Sequence, residues 1–356
     1  MTKKNKFETN AIHVGNKPDA SNGSVSPPIN LTSTFAQDGI GKNKGFDYSR
    51  GTNPTRERLE KNIASLEGGY DAIAFSSGMA ATTALFQSLK QGDHVIISRN
   101  VYGGTYRMAT QILSNHGLKF DFVNTTNIQN IKDAIKPETK WIFIETPTNP
   151  MLEITDIKAV SQICQGRNIK FAVDNTFMSP YGQRPLDYGA DCVMHSSTKF
   201  IGGHSDVLGG VLVAKDKELA DRLHFIQKSG GAIPSPFDAW LLLRSVKTLS
   251  MRVQKASDNA MVIAKYFDSH SKISKTIYPG LDSHSEHSVA QSQQINSHGD
   301  IIYGSMVSVV FNSKNEMDNF ISKISLFTLA ESLGGVESLM SVPYFMTHAD
   351  VPKEVK

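Results

Sequence analysis

Up to about Gly45 the chain shows almost no regular spacing of apolar residues. Asn, Ser, Gly and Pro dominate there, and such a segment is ordered only where it lies on something else. An extended arm is therefore predicted over residues 1–50. A helical rhythm sets in over residues 54–66. Pro54 suits a first helical turn, where its missing N–H is not needed, and Asn53 is a suitable cap for the free amides that follow. Beyond this helix two rhythms alternate. Short apolar runs at 72–75, 94–97, 120–123, 141–144, 171–173, 192–194 and 210–213 read as strands, and the stretches 78–89, 106–115 and 128–135 as helices. Strands that are apolar almost throughout are covered on both faces, so the pattern predicts an α/β fold with a mainly parallel sheet between helices. Helical periodicity returns over 237–267, followed by a strand at 306–311 and a helix at 316–325. These describe a smaller α+β domain.

A chain of 356 residues exceeds one small core, and length alone favours two domains. Residues 51–235 form the expected large domain and residues 236–356 the C-terminal one. With 39% hydrophobic and 20% charged residues, the composition is that of an ordinary globular protein. A net charge of +3, without a basic cluster beyond Lys3, Lys4 and Lys6, argues against nucleic acid as a partner. Residues 1–10 are basic but lack the apolar run of a secretory signal. Nowhere do apolar residues run for the roughly 18 positions of a membrane span. Two cysteines, Cys164 and Cys192, without metal-like spacing suit a reducing cytoplasm better than a disulfide scaffold.

In open α/β sheets ligands bind beyond the carboxyl ends of the strands, so the residues there are the candidate chemistry. Ser76-Ser77-Gly78-Met79 follows the first strand and opens a helix. It is either an ordinary capped turn or an anion site, where free amides and the helix dipole meet a negative group that glycine lets approach. It is not a GxxxxGK[ST] loop, and no GxGxxG follows a strand. Glu145-Thr146-Pro147-Thr148-Asn149-Pro150 follows another strand. Asp174 follows a third, and either caps the next helix or holds a cationic partner such as a protonated ring nitrogen. His195-Ser196-Ser197-Thr198-Lys199 follows a fourth. Most lysines are solvated surface charges. Lys199, set among hydroxyls and ahead of Gly202 and Gly203, is placed to be desolvated and so to act as a nucleophile. His195 and His204 lack the spacing of a metal motif, so hydrogen-bonding roles are expected of both and no metal ion. A lysine for an aldehyde, a carboxylate for a pyridinium and a helix start for a phosphate are together the requirements of pyridoxal 5'-phosphate (PLP).

Tyr48-Ser49-Arg50, Asn53-Pro54-Thr55, Ser76-Ser77-Gly78-Met79-Ala80, the Glu145–Pro150 run, Asp174-Asn175-Thr176 and His195-Ser196-Ser197-Thr198-Lys199 occur in that order. Through them the chain resembles the Cys/Met-metabolism family of PLP enzymes, which includes cystathionine γ-synthase, cystathionine β- and γ-lyases, methionine γ-lyase and O-acetylhomoserine sulfhydrylase. The likeness runs from about His13 to His348. It implies the aspartate-aminotransferase-like (type I) fold. It also implies that Lys199 carries the cofactor as a Schiff base and that Asp174 keeps the pyridine nitrogen protonated. Ser76, the Gly78 and Met79 amides and the Ser196 and Thr198 hydroxyls match the phosphate site. Tyr102 matches the tyrosine stacked on the ring, and Asn149 the residue near the phenolic oxygen. In the family the residues matching Tyr48 and Arg50 reach a neighbouring subunit's phosphate, which implies a homotetramer with active sites shared between two chains.

The resemblance implies a shared chemistry as well: Lys199, once displaced by the amine of a small amino-acid substrate, removes the Cα proton. The stretch 327–339 is most similar to cystathionine-handling members, with Glu331 suited to the distal ammonium of cystathionine and Ser332 and Tyr48 in the substrate site. The reading is a cystathionine C–S lyase acting by β- or γ-elimination. Cystathionine γ-synthase is the alternative, with racemisation as a side activity, and a non-catalytic regulator keeping the PLP fold is an alternative of a different class. Family members continue past the position of Lys356 with a segment carrying an arginine for the substrate α-carboxylate. Either the chain given is incomplete, or Ser332 and another group must hold that carboxylate.

Overall fold

The computed structural model describes residues 6–346. The outer ends of the expected arm and C-terminal domain, residues 1–5 and 347–356, lie outside the described residues, and with them Lys3, Lys4 and His348. The arm holds one helix that the sequence pattern does not announce, α1 (Phe7–His13). Its Phe7 and Ala11 are buried. Asn62, itself buried, donates from Nδ2 to the carbonyls of Asn10, Ala11 and Val14, and so satisfies the helix end from outside. The expectation of a wholly extended arm is corrected here: a tertiary cap, not local periodicity, makes the helix. Helix α2 (Pro54–Glu67) is as expected, with the Asn53 side chain accepting the Thr55 N–H and Gly68 closing it at φ 77°.

Strands and helices then alternate: β1 (Asp71–Phe75), α3 (Gly78–Phe86), β2 (His94–Ser98), α4 (Gly103–Arg107), β3 (Lys119–Val123), α5 (Ile128–Ala134) and β4 (Thr139–Glu145). Next come α6 (Ile157–Cys164), β5 (Lys170–Asp174), the single turn α7 (Ser179–Gly182), β6 (Cys192–His195), β7 (Gly210–Ala214) and α8 (Lys217–Gly230). The expected helix over 106–115 is divided. After α4 the chain widens into a π turn at Met108–Ile112 and tightens into a 3-10 turn at Leu113–His116. The hydroxyls of Thr110 and Ser114 bond to carbonyls four residues back, a habit that bends helices.

Seven strands form one sheet in the order β1-β7-β6-β5-β4-β2-β3, and β7 alone runs against its neighbours. Alternate residues of the central strands feed two different cores. Ile142, Ile144, Phe171 and Val173 pack with α1, α2, α6 and α9 (Pro236–Ser245), whereas Trp141, Phe143, Ala172 and Met194 pack with α3, α4 and α8. This two-sided burial is why the strands lack a polar face.

The helical periodicity over 237–267 is realised as α9 and α10 (Leu249–Asp268), separated by a 3-10 turn. The Ser245 carbonyl is captured by the Thr248 hydroxyl and the Arg252 guanidinium, which breaks the run. A small antiparallel pair, β8 (Ile273–Ile277) and β9 (Ser308–Phe311), follows with α11 (His287–Gln293) between its strands. Then come α12 (Lys314–Ile321), β10 (Thr328–Leu329) and β11 (Leu339–Met340), the last two paired in parallel. Among the described residues no helix is long and apolar enough to cross a membrane.

Candidate active site

Because β7 is antiparallel to β6, residues 196–209 leave one strand and enter the next at the same sheet edge. That is the edge where β1, β4 and β5 end: Phe75 lies opposite Gly210, and Glu145 opposite Asp174. Lys199 thereby shares an edge with both carboxylates and with the start of α3.

Asp174 is buried, and its Oδ1 accepts the backbone N–H of Thr176 at 3.0 Å and the Thr176 hydroxyl at 2.6 Å. Thr176 Oγ1 in turn accepts the Ser196 N–H at 2.9 Å, which ties the aspartate to the Lys199 loop. Burial pushes the Asp174 carboxyl above its usual range, against the Thr176 bonds and the nearby His195. His195 Nε2 lies 2.5 Å from Glu67 Oε1, and the hydrogen-bonding role expected of it is found in the core. His204 likewise bonds to the Gly202 carbonyl and to Ser245.

Lys199 is half-buried, and its Nζ donates to Ser332 Oγ at 2.8 Å. Burial lowers the pKa of the amine, and the Glu331 carboxylate acts in the opposite direction. Ser332 adopts φ 91°, in the left-handed region that residues with a side chain rarely occupy.

The start of α3 meets Ser196 closely, for a Cβ at Gly78 would come within 2.8 Å of the Ser196 Cβ. Ser77 caps this helix by accepting the Ala80 N–H, while Ser76 donates its N–H to the Ala232 carbonyl. The amides of Gly78 and Met79, in the first turn, are left without helical acceptors. Tyr102 folds its ring over Gly104, where a Cβ would lie 2.5 Å from the ring and 2.8 Å from the Met79 sulfur. The Thr198 hydroxyl is engaged with Gly209, donating to its carbonyl and accepting its N–H. Asn149 comes to the same edge through its backbone N–H, which bonds to Glu145 Oε1.

Tyr48 and Arg50 stand apart. The Arg50 guanidinium lies 5.5 Å from the Tyr48 ring centroid and donates to the Lys228 carbonyl at the end of α8. Among the described residues, neither is hydrogen-bonded to the Lys199 loop. Sequence reasoning placed Thr176 and Glu145 in motifs without giving either a role, and it did not reach Glu67. The Asp-x-Thr spacing was a legible signal for Thr176 and the strand-end position for Glu145; a fully buried Glu67 offered none.

PLP combines an aldehyde, a cationic ring nitrogen and a phosphate. The residues present fit all three. A desolvated amine stands ready, a buried carboxyl lifted by desolvation would be relieved by a facing cation, and a helix start has the bare Gly78 beside Ser196.

The family model for "Cys/Met metabolism PLP-dependent enzyme" matches residues 8–356. Cystathionine beta-lyase of Lactococcus lactis subsp. cremoris is 45% identical over 350 residues, covering 98% of this chain and 90% of that one. Cystathionine gamma-lyase of Bacillus subtilis is 45% identical over 349 residues with the same two shares. Among solved structures, cystathionine gamma synthase from Xanthomonas oryzae pv. oryzae, in complex with aminoacrylate and cysteine, superposes with a TM-score of 0.94 at 38% identity, covering 99% of this chain and 90% of that one. A match along nearly the whole chain, on a sheet whose carboxyl edge gathers an amine, a buried acid and a bare helix start, leaves one assignment: this chain is an enzyme of the PLP-dependent Cys/Met metabolism family, and its cofactor is pyridoxal 5'-phosphate.

Proposed function

We propose that the chain is a cystathionine C–S lyase, and that the Lys199 amine, held at Ser332 and facing the charge of Glu331, is its catalytic base. The observation carrying this reading is the 2.8 Å bond from Lys199 Nζ to Ser332 Oγ in a setting that lowers the amine's pKa. A larger neutral fraction of the amine lets Lys199 take a proton from Cα and later return it. When bound, PLP withdraws the electrons that this proton leaves behind. Asp174 would face the ring nitrogen and hold its proton, the Tyr102 ring would cover the cofactor face and Asn149 would lie near the phenolic oxygen. The Gly78 and Met79 amides, Ser76 and the Ser196 and Thr198 hydroxyls would hold the phosphate, the Thr198 hydroxyl being engaged with Gly209 in the cofactor-free site. Glu331 and Ser332 hold the substrate's distal ammonium and its reacting end. Tyr48 and Arg50 complete the site of a neighbouring chain in a homotetramer, a reading supported by the Arg50 contacts with Tyr48 and α8. The chain divides into an arm (1–50), a large PLP domain (51–235) and a C-terminal domain (236–356). Its compartment is the cytoplasm, where Cys164 and Cys192, both buried, stay as thiols; burial raises the Cys164 pKa to about 12.

β-Elimination converts cystathionine and water to homocysteine, pyruvate and ammonia; γ-elimination gives cysteine, 2-oxobutyrate and ammonia. Incubating the PLP-loaded protein with cystathionine and identifying the keto acid distinguishes the two. Formation of neither would overturn the lyase reading. The likeness to the Xanthomonas synthase favours γ-replacement as a second reading. An activated homoserine ester supplied with cysteine would then yield cystathionine.

A further inference from the structure

Glu145 has no part in the chemistry above, yet two of the elements around the cofactor hang from it. It ends β4 directly opposite Asp174 on β5, and its side chain is buried. Its Oε2 accepts the backbone N–H of Tyr102 at 2.8 Å, and its Oε1 accepts the backbone N–H of Asn149 at 2.9 Å. Its own N–H donates to Ser98 Oγ at the end of β2. Among the described residues the carboxylate is answered by these two amides alone, without a basic side chain. A carboxylate is an acceptor at both oxygens, so it can hold two N–H groups that point at it from different turns, and bonds to a charged acceptor are about twice as strong as neutral ones.

We propose that Glu145 is a positioning residue that clamps the Tyr102 turn to the Asn149 turn and thereby sets the gap into which the cofactor ring fits. The inference rests on the assignment of Tyr102 to the ring face and Asn149 to the phenolic oxygen. Burial and then the charge of Asp174 raise the Glu145 carboxyl well above its ordinary value, so this acid is held at the site against a penalty. A purely apolar residue would fill the same space without that penalty but would leave two inward N–H groups unanswered.

Glu145→Gln preserves shape while turning one acceptor into an NH2 donor that faces an N–H. Amide hydrogen exchange at Tyr102 and Asn149 in the cofactor-free protein, and visible circular dichroism of the bound cofactor, read the clamp directly. Exchange at one of the two amides should accelerate by about tenfold or more, and the cofactor band should lose intensity. Glu138→Gln, which removes only a surface partner of Lys119, should change neither. If the glutamine variant does not fold, Glu145→Asp gives the same readings: its shorter side chain reaches only one turn, so one amide is released. Wild-type exchange at both amides in the folded variant overturns the clamp. Faster exchange with an unchanged cofactor band retains the hydrogen bonds but overturns the ring-gap role. Exchange in the cofactor-free protein is independent of the lyase reading, so failure of one does not read as failure of the other.

Discussion

Replacing Asp174 with Asn separates what this residue does for the fold from what it does for the chemistry. Asn keeps an oxygen for the Thr176 N–H and hydroxyl, now 3.0 and 2.6 Å from Oδ1, so the tie to Ser196 survives. It exchanges the second oxygen for a donor, which cannot hold a proton on a ring nitrogen. Breaking a buried charge pair from one side costs about 3–5 kcal/mol. At 1.36 kcal/mol per factor of ten, kcat with cystathionine should fall by about 10²- to 10⁴-fold. Stability should move the other way. Burial raises the Asp174 carboxyl in the folded chain, so its ionisation weakens the cofactor-free fold. That penalty is absent below the unfolded-state pKa of about 3.9 and sets in as pH rises towards the raised folded value. A neutral Asn removes it, so cofactor-free Asp174→Asn at pH 7 should melt no lower than the wild type. Steady-state kinetics, paired with thermal melts of both cofactor-free proteins, checks the two halves. Turnover within tenfold of wild type would refute the role at the ring nitrogen, and a markedly lower melting temperature would refute the account of the buried charge.

Lys199→Ala should abolish the yellow colour of the purified protein, measured as the visible absorbance that remains after dialysis; unchanged absorbance places the covalent link elsewhere. Arg50→Ala alone should lose PLP on dilution, and unfolding and refolding it together with Lys199→Ala should restore part of the activity, because mixed oligomers contain sites with both residues intact. No recovery argues against sites shared between chains. Asn62→Ala strips the end of α1 of its donor to three carbonyls and should lower stability by about 1–3 kcal/mol, seen in urea denaturation, with little change in kcat. A variant as stable as the wild type would show that solvent serves α1 equally well.

Sheet and strand ends were legible because each strand carries its own signal: Trp141-Ile142-Phe143-Ile144 and Cys192-Val193-Met194 bury both faces and read as such without their neighbours. Asp174 and Lys199 stand out as candidates because strand ends are few and polar residues there contrast with apolar runs. Helix α1 was missed because its end is capped by Asn62, across the arm, and nothing local to Phe7–His13 records that bond. Likewise a continuous apolar period over 237–267 gives no hint of the break at Ser245, whose carbonyl is claimed by Arg252 seven residues further on. The resemblance names the candidate residues for the cofactor. It includes Glu145 in a motif but gives it no role, because its partners are the backbone amides of Tyr102 and Asn149, which leave no side-chain pattern to recognise.

The same asymmetry explains how the second half of the chain bears on Lys199. The turn holding Lys199 closes locally through the Gly202 N–H to the Ser197 carbonyl and the Gly203 N–H to the Lys199 carbonyl. Its outer carbonyls are held from afar. Arg252 of α10 donates to those of Phe200 and Ile201, and the Val336 N–H to that of Gly203. Gly334, at φ 81°, passes so near that a Cβ would lie 2.6 Å from the Phe200 nitrogen. Arg252 has carbonyls and the Thr248 hydroxyl as its partners, and burial lowers its pKa to about 10. A desolvated guanidinium with carbonyl partners is a costly device where only packing is needed, but it fixes several acceptors in one plane. The position of Lys199 is thus set jointly by the strand it follows and by α10 and the 334–336 segment, and the segment carrying Ser332 is drawn to the amine by the same contacts.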